Sequence, residues 1–407
     1  MKKYVIIGNG AAAVGCVEGI RSVDAKSPIT IISEENHHVY GRPLISYYLK
    51  GDSTKESMLY RPNDFYEANG CEVLYGVKAT AIKKGKVSLS KGKAIAYDEL
   101  CVATGSRPFV PPFKGLDTVE NKYSFMTLDD ATALECALDK KAKVLVIGAG
   151  LIGLKCVEGI YERVGEITVC DLADRVLSSI LDSECASIVQ SKLEAKGINF
   201  MLGDSVAEFD GSLAIMNSGA KVDFDILVLA VGVRANTELV SEAGGSVNRG
   251  IVIDNHMATT VNNVYAAGDC TISHDITSDS DKVLAIMPNA YLQGYCAGQN
   301  MAGEKSTFDN AIPMNSIGFF GYHIMSAGSY DGELYEEKTA DGIKRLYTKD
   351  GYMTGFMILG DVAKSGIYTN IIRKRIPLSE IDYEVLKKEP SLAPLGASFR
   401  DEFLAMP

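Results

Sequence analysis

The chain has 407 residues, 46% of them apolar and 23% charged, with a formal net charge of −11. That length allows two or three domains with cores of their own, and the acidic balance, with no basic block, argues against nucleic acid or anionic membrane as a partner. No apolar run approaches the roughly 20 residues of a membrane span, and the chain enters a strand with no signal-peptide layout, so a cytoplasmic protein is expected.

The opening stretch reads as a complete unit. Residues 2–7 are an apolar strand, Gly8-Asn9-Gly10-Ala11-Ala12-Ala13 a tight turn, and the run to about Val23 a helix. A second strand follows at 29–33, with Glu34 and Glu35 at its end. Gly8 permits the turn, Gly10 lets the backbone approach a pyrophosphate, and the small Ala13, with Gly15, lets the helix lie close to the strand. The helix N-terminus then faces two phosphates with free N–H groups and a favourable dipole. Glu34 stands 26 residues after Gly8, near the place for a carboxylate on a ribose. A dinucleotide site is expected here.

Residues 36–49 are rich in aromatic and hydrogen-bonding side chains. Arg42-Pro43 forces an extended entry, after which 44–50 reads as helix. Short strands are expected at 71–76, 79–82, 86–89 and 94–97, with a turn at Lys91-Gly92-Lys93. A hydrophobic strand at 99–103 ends in Thr104-Gly105, and the prolines from Pro108 to Pro112 mark a domain crossover.

Then the first unit repeats. A strand at 143–147 leads into Gly148-Ala149-Gly150-Leu151-Ile152-Gly153, a helix, and a strand at 167–171. Cys156-Val157-Glu158-Gly159-Ile160 repeats Cys16-Val17-Glu18-Gly19-Ile20 letter for letter and at the same offset from the first glycine. Two such units predict two dinucleotides bound by one chain. Asp171, 23 residues after Gly148, would bond a free 2′-hydroxyl and repel a 2′-phosphate, which favours NADH. Arg175 stands close enough to meet a phosphate, or to serve as a surface or pyrophosphate contact.

Further on, 182–196 has helical spacing, 199–202 reads as a strand, and the apolar run 224–231 ends at Gly232. Another apolar strand at 263–267 ends in Gly268-Asp269. A helix runs from about Met287 to Met301 and closes near Gly303. From about Phe308 the composition predicts a small antiparallel sheet, in runs at 315–327, 343–349 and 351–359, with a helix over 362–373. The tail from Pro377 reads as partly helical, then irregular. Nine cysteines include no C-x-x-C and no zinc-ligand spacing, and only five histidines occur. Reduced core cysteines and no metal site are expected.

Thr104-Gly105, Gly148 to Gly153 and Gly268-Asp269, in that order, resemble the pyridine nucleotide–disulfide oxidoreductase superfamily of two-dinucleotide flavoproteins. Tyr40-Gly41-Arg42-Pro43-Leu44-Ile45-Ser46 narrows the likeness to its NADH:rubredoxin reductase, nitrite reductase flavin-module and ferredoxin reductase branch. The resemblance implies an α/β chain with two Rossmann-like domains, one inserted in the other, and a small α+β C-terminal domain. The FAD domain would comprise 1–110 and 236–308, the NAD domain 111–235, the interface domain 309–376, and an extension 377–407. Non-covalent FAD would lie along Gly8, Gly10, Ala11 and Ala13, with Glu34 on its adenosine ribose, Glu35 among the binding residues and Ala79 near its adenine. Arg42, Pro43, Ala103, Thr104, Gly105, Gly268 and Asp269 would complete that site, and the helix opening at Asn289 would aim its N-terminus at the flavin pyrimidine. NADH, the co-substrate, would lie along Gly148, Gly150, Ile152, Gly153, Asp171 and Gly232.

Disulfide reductases of this superfamily carry two cysteines on the helix near the flavin and shuttle electrons through that dithiol, and the related peroxidases, oxidases and coenzyme A disulfide reductases carry one. This chain has Ser46 and Tyr47 there and no cysteine between Cys16 and Cys71. Electrons would therefore pass from flavin directly to an external acceptor, such as rubredoxin, ferredoxin or an iron–sulfur subunit. The alternatives are a flavin subunit of a larger complex and an NADH oxidase that makes hydrogen peroxide. Tyr47 replaces a lysine of many relatives, and Lys155 replaces a glutamate that commonly lines the nicotinamide pocket. No catalytic residue is assigned beyond the candidates Arg42, Pro43 and Tyr47. Lys364, Arg373, Lys374 and Arg375 form a candidate docking set, or a solvated face.

Overall fold

The computed structural model describes residues 1–396 and 399–400. In chain order the principal elements are β1 (Tyr4–Ile7), α1 (Ala11–Val23), β2 (Ile29–Ser33), α2 (Ile45–Lys50), β3 (Cys71–Tyr75), β4 (Glu99–Val102), β5 (Lys122–Ser124), α3 (Leu128–Ala137), β6 (Lys143–Ile147), α4 (Leu151–Ile160), β7 (Glu166–Asp171), α5 (Ser183–Glu194), β8 (Asn199–Leu202), β9 (Ile226–Leu229), β10 (Val264–Ala266), α6 (Met287–Ala302), β11 (Met314–Phe319), β12 (Tyr322–Gly328), β13 (Glu333–Lys338), β14 (Ile343–Lys349), β15 (Tyr352–Gly360) and α7 (Gly366–Arg373). They fall into two compact units. One comprises 1–36, 66–105 and the chain from 237 onward; the other comprises 37–65 and 106–236.

The first unit is built on a parallel sheet in the order β10-β4-β1-β2-β3. Its central strand, Tyr4-Val5-Ile6-Ile7, is buried throughout, because helices cover both faces of such a sheet and no polar alternation is needed. Val5, Ile7, Ile32, Leu100, Val102 and Val264 share one core. Helix α1 packs on α6 at backbone contact. A Cβ on Gly294 would run into the Ala12 carbonyl, and one on Gly298 into that of Cys16. Gly15 and Gly19 of α1 meet the carbonyls of Tyr291 and Tyr295 in the same way. The pairing order rises along both helices, so they run parallel and start at the same end, with α6 beginning roughly one turn earlier.

The same unit carries an antiparallel sheet, β11-β12-β15-β14-β13, under α7. Ile312, Leu346, Phe356, Ile358, Tyr368, Ile371 and Ile372 pack there. The sequence reading differs from it in three places. The single run expected at 315–327 is a hairpin, turned at Phe320 and Gly321, both with positive φ. Strand β13 was not expected. It is an edge strand, Glu-Leu-Tyr-Glu-Glu-Lys, and its mostly exposed residues leave no apolar alternation. Helix α7 starts at Gly366 rather than 362. In the tail, residues 378–380 and 383–386 are short helical turns; the part of the expected tail at 397–398 and 401–407 lies outside the described residues.

The second unit holds a parallel sheet, β8-β7-β6-β9-β5. Four of these strands, β8-β7-β6-β9, repeat the order β3-β2-β1-β4 of the first sheet; the outer strand β5 comes from before β6 in the chain, whereas the outer strand β10 of the first sheet comes after all its neighbours. Leu145, Ile147, Cys170, Leu227 and Leu229 share a core with Phe209 and Phe224. A three-stranded meander at 206–223 is attached, unread in the sequence because its strands are short. Helix α2 packs on α4 where a Cβ on Gly159 would crowd the Ser46 carbonyl. Among the described residues no helix is long and apolar enough to cross a membrane.

Candidate functional site

In the first unit the turn after β1 is held by sterics. Gly8 has φ +116°, and a Cβ there would strike the Ala103 carbonyl at the end of β4. Gly10 caps α1, and no side chain bonds the free amides of the first turn. The space in front of Gly10 and Gly105 is open. These are the conditions for a phosphate to receive the amides. Ala11 opens the helix and Ala13 is buried in its first turn. Gly268 wedges between Ala12 of α1 and Ala290 of α6, which puts the half-buried Asp269 at the starts of both helices. Gly8, Gly10, Ala11, Ala13, Ala103, Thr104, Gly105, Gly268 and Asp269 thus share one edge of the unit. Ala79 is buried in a neighbouring hairpin. The two acids separate: Glu34 is 67% exposed and pairs with Lys78 at 3.0 Å, whereas Glu35 is half-buried.

Three contributors went unread in the sequence. Asn9, inside the turn, accepts a hydrogen bond from the hydroxyl of the buried Tyr66. Gln293 is buried in α6; its Oε1 accepts the Gly268 N–H at 2.7 Å, and its Nε2 donates to Ser273 at 2.5 Å. Its signal is a pair of amides, Asn289 and Gln293, one turn apart on an otherwise small and apolar helical face. Arg373, expected in a surface set, turns its guanidinium inward to Asn289 Oδ1 at 3.3 Å. The rest of that set is dispersed as well: Lys364 pairs with Glu389 at 3.1 Å, and Arg375 lies over the Tyr352 ring.

In the second unit the turn after β6 has the same construction. Gly148 has φ +117° and would clash with the Ala230 carbonyl if it bore a Cβ; Gly150 caps α4 with no side chain and faces open space. Gly153 lies against the Gly148 carbonyl, and Ile152 is half-buried beside it. Gly232, φ +112°, follows β9 and accepts the Phe109 N–H at 2.9 Å. Asp171 is anchored: Oδ2 accepts the Ala149 N–H at 2.6 Å and Oδ1 that of Ala173 at 2.8 Å. A carboxylate has about four acceptor sites, so the group keeps capacity for a ribose hydroxyl while fixed beside the turn.

The same unit holds the segment with Arg42, Pro43 and Tyr47. Arg42 donates to the Met126 carbonyl at 3.2 Å and lies over the Tyr40 ring, whose hydroxyl accepts the Leu128 N–H at 2.9 Å. Pro43 is exposed. The two departures from the resemblance meet in space. Lys155 Nζ lies 4.5 Å from the centre of the Tyr47 ring and is ion-paired with Glu158. Its side chain is 17% exposed and that of Glu158 9%, so Lys155 is a packed residue rather than part of a solvated face.

All nine cysteines are free thiols, and none lies on α2. Seven are buried. Burial pushes the Cys71 thiol up to about 11 and that of Cys270 to about 12, so neither is a thiolate at neutral pH. Among the described residues no cluster of three or more metal-ligating side chains occurs.

Residues 2–294 match the pyridine nucleotide-disulphide oxidoreductase family. The NADH-dependent phenylglyoxylate dehydrogenase subunit epsilon of Aromatoleum evansii is 30% identical over 397 residues, covering 93% of each chain. The nitrite reductase [NAD(P)H] of Bacillus subtilis is 31% identical over 93% of this chain, which spans only 48% of that relative's length. The structure of the covalent putidaredoxin reductase–putidaredoxin complex superimposes with a TM-score of 0.87 at 25% identity, over 95% of this chain and 96% of that one. With two glycine turns on two parallel sheets and these likenesses, the chain belongs to the pyridine nucleotide-disulphide oxidoreductase family.

Proposed function

We propose that the protein is an FAD-dependent NADH oxidoreductase that passes electrons, without a redox-active cysteine, to a small external redox protein such as a rubredoxin, a ferredoxin or an iron–sulfur subunit. One observation carries the reading: two open, uncapped glycine turns stand on two parallel sheets, in a chain whose α2 bears Ser46 and Tyr47 in place of a thiol. When bound, the flavin accepts two electrons from a nicotinamide and releases them singly to a one-electron partner.

The chain's own residues bind and orient. The first turn of α1 receives the FAD pyrophosphate, Asp269 holds a hydroxyl of the flavin's sugar-alcohol chain, and Glu35, half-buried where Glu34 is exposed, takes the adenosine ribose. The turn of Gly148 and Gly150 receives the NADH pyrophosphate. Asp171, anchored on the Ala149 N–H, accepts from the adenosine ribose and disfavours a 2′-phosphate. We place the protein in the cytoplasm, where the thiols stay reduced.

A second reading makes the chain the flavin subunit of a larger complex. Its support is that a full-length relative is a dehydrogenase subunit and that Lys155 is tied up by Glu158 and Tyr47. Steady-state turnover separates the two. Fast oxidation of NADH by the isolated chain with ferricyanide, and with rubredoxin or ferredoxin, supports the first reading. Turnover that appears only on adding an iron–sulfur partner subunit supports the second.

A further inference from the structure

Arg373 is the last residue of α7. An arginine there complements its own helix dipole from solvent, yet this one is turned into the protein. Its Nη2 reaches Asn289 Oδ1 at 3.3 Å and Met314 Sδ at 3.8 Å, and its Nε is buried with no hydrogen-bond partner among the described residues. Among the described residues no carboxylate lies within ion-pair distance of it. Burial pulls its pKa down, the direction expected of a cation that lacks a counter-charge. Asn289 is fully buried in the first turn of α6 and is fixed by donating to the Ile312 carbonyl at 3.1 Å. That turn has no side-chain cap, and Pro288 contributes no N–H.

Helix α6 starts beside α1 and roughly one turn ahead of it. The free amides of α1 suit a pyrophosphate, which leaves the overhanging turn of α6, with Arg373 behind it, for the ring end of the cofactor. The open space at Gly10 and Gly105 and the wedge at Gly268 fit that course. A half-buried guanidinium with an unpartnered N–H and no carboxylate needs an anion. We infer that Arg373 is a positioning and tuning residue for the flavin, holding the Asn289 turn and supplying positive charge that stabilises the ring once reduction makes it negative. The inference rests on the flavin reading above.

The test is the two-electron reduction potential of the bound FAD in wild type, Arg373→Gln and Arg373→Lys, with sulfite affinity as a second report on negative charge in the ring. The expected result for Arg373→Gln is a tenfold or greater loss of sulfite affinity and a potential lower by about 30 mV, the equivalent of tenfold for two electrons. Arg373→Lys is expected to restore most of both, with FAD content and melting temperature near wild type. A potential unchanged in Arg373→Gln, or Lys and Gln variants shifted alike, overturns the inference. If Arg373→Gln purifies without FAD, a flavin-loaded Arg373→Lys variant with wild-type potential supports it, and loss of FAD from both variants overturns it. A wild-type protein that binds no FAD is a different failure, that of the flavin reading itself.

Discussion

At the first turn Gly8 sits at φ +116° against the Ala103 carbonyl; at the second Gly148 sits at φ +117° against the Ala230 carbonyl. Gly10 and Gly150 both cap a helix with no side chain and face open space. Beyond that backbone the two regions part. The second turn has an acid locked onto it, Asp171 on the Ala149 N–H. At the first, Glu34 leans out to Lys78 and Glu35 is half-buried. The repeated pentapeptide parts in the same way. Glu18 accepts the Tyr291 hydroxyl at 2.6 Å from α6, whereas Glu158 is buried and ion-paired with Lys155. Gly19 lets α6 approach and Gly159 lets α2 approach. The shared G-x-G letters build the same turn twice, and the elements packed beside each turn differ; in the proposed function one turn seats the cofactor and the other the co-substrate.

The largest effects are expected at the glycines. Forcing a Cβ into this conformation costs about 1–3 kcal/mol before the clash with backbone is counted. Gly8→Ala should purify with little flavin, read as the ratio of flavin to protein absorbance. Gly148→Ala should keep its flavin and lose reduction by NADH. Flavin loss from the second variant alone would reverse the assignment of the two seats.

Asp171→Ala comes next. A hydrogen bond to a charged group contributes about 1.5–3 kcal/mol, so the NADH-over-NADPH ratio of kcat/KM should fall by about ten- to a hundredfold. An unchanged ratio would remove Asp171 as the selector.

The twin glutamates sharpen the comparison through stability. Lys155→Met removes the ion-pair partner of a buried carboxylate and should cost about 1–3 kcal/mol in a denaturant midpoint series. Glu18→Gln keeps a neutral partner for Tyr291 and should cost about 1 kcal/mol or less. Equal losses would mean that the Lys155–Glu158 pair contributes no more than a surface contact.

The smallest effect is expected from thiol modification. Burial raises the Cys71 thiol to about 11 and those of Cys170 and Cys270 to about 12, so at pH 8 they remain neutral and unreactive. Iodoacetamide should label the exposed Cys136 first and leave turnover unchanged. Activity lost in step with one equivalent of label would point to a redox thiol.

Much of the fold is legible in the letters because both sheets are buried on two faces. Val5 to Ile7 and Val144 to Ile147 read as strands without help, and each is followed by a glycine turn and a helix. The charged edge strand β13 is not legible, since an exposed strand carries no apolar period, and the 206–223 meander is missed because its strands are short. At the site, backbone roles were legible and side-chain partners were not. Gly8 and Gly148 announce themselves by spacing. Counting residues pointed first to Glu34, and only the fold shows it exposed beside Lys78. Lys155 and Tyr47 each stood out as a departure, but 108 positions separate them in the sequence, so their contact is a tertiary fact. Arg373 looked like one of four surface cations because its neighbours Lys374 and Arg375 share its charge.

The central claim is that one chain seats FAD at the first turn and NADH at the second. Anaerobic mixing of the flavin-loaded protein with NADH, and separately with NADPH, tests it through the flavin absorbance. Rapid bleaching by NADH and slow bleaching by NADPH is the predicted result. No bleaching by either, with FAD in place, would contradict the claim and leave the chain as a flavin subunit whose second turn serves no nicotinamide.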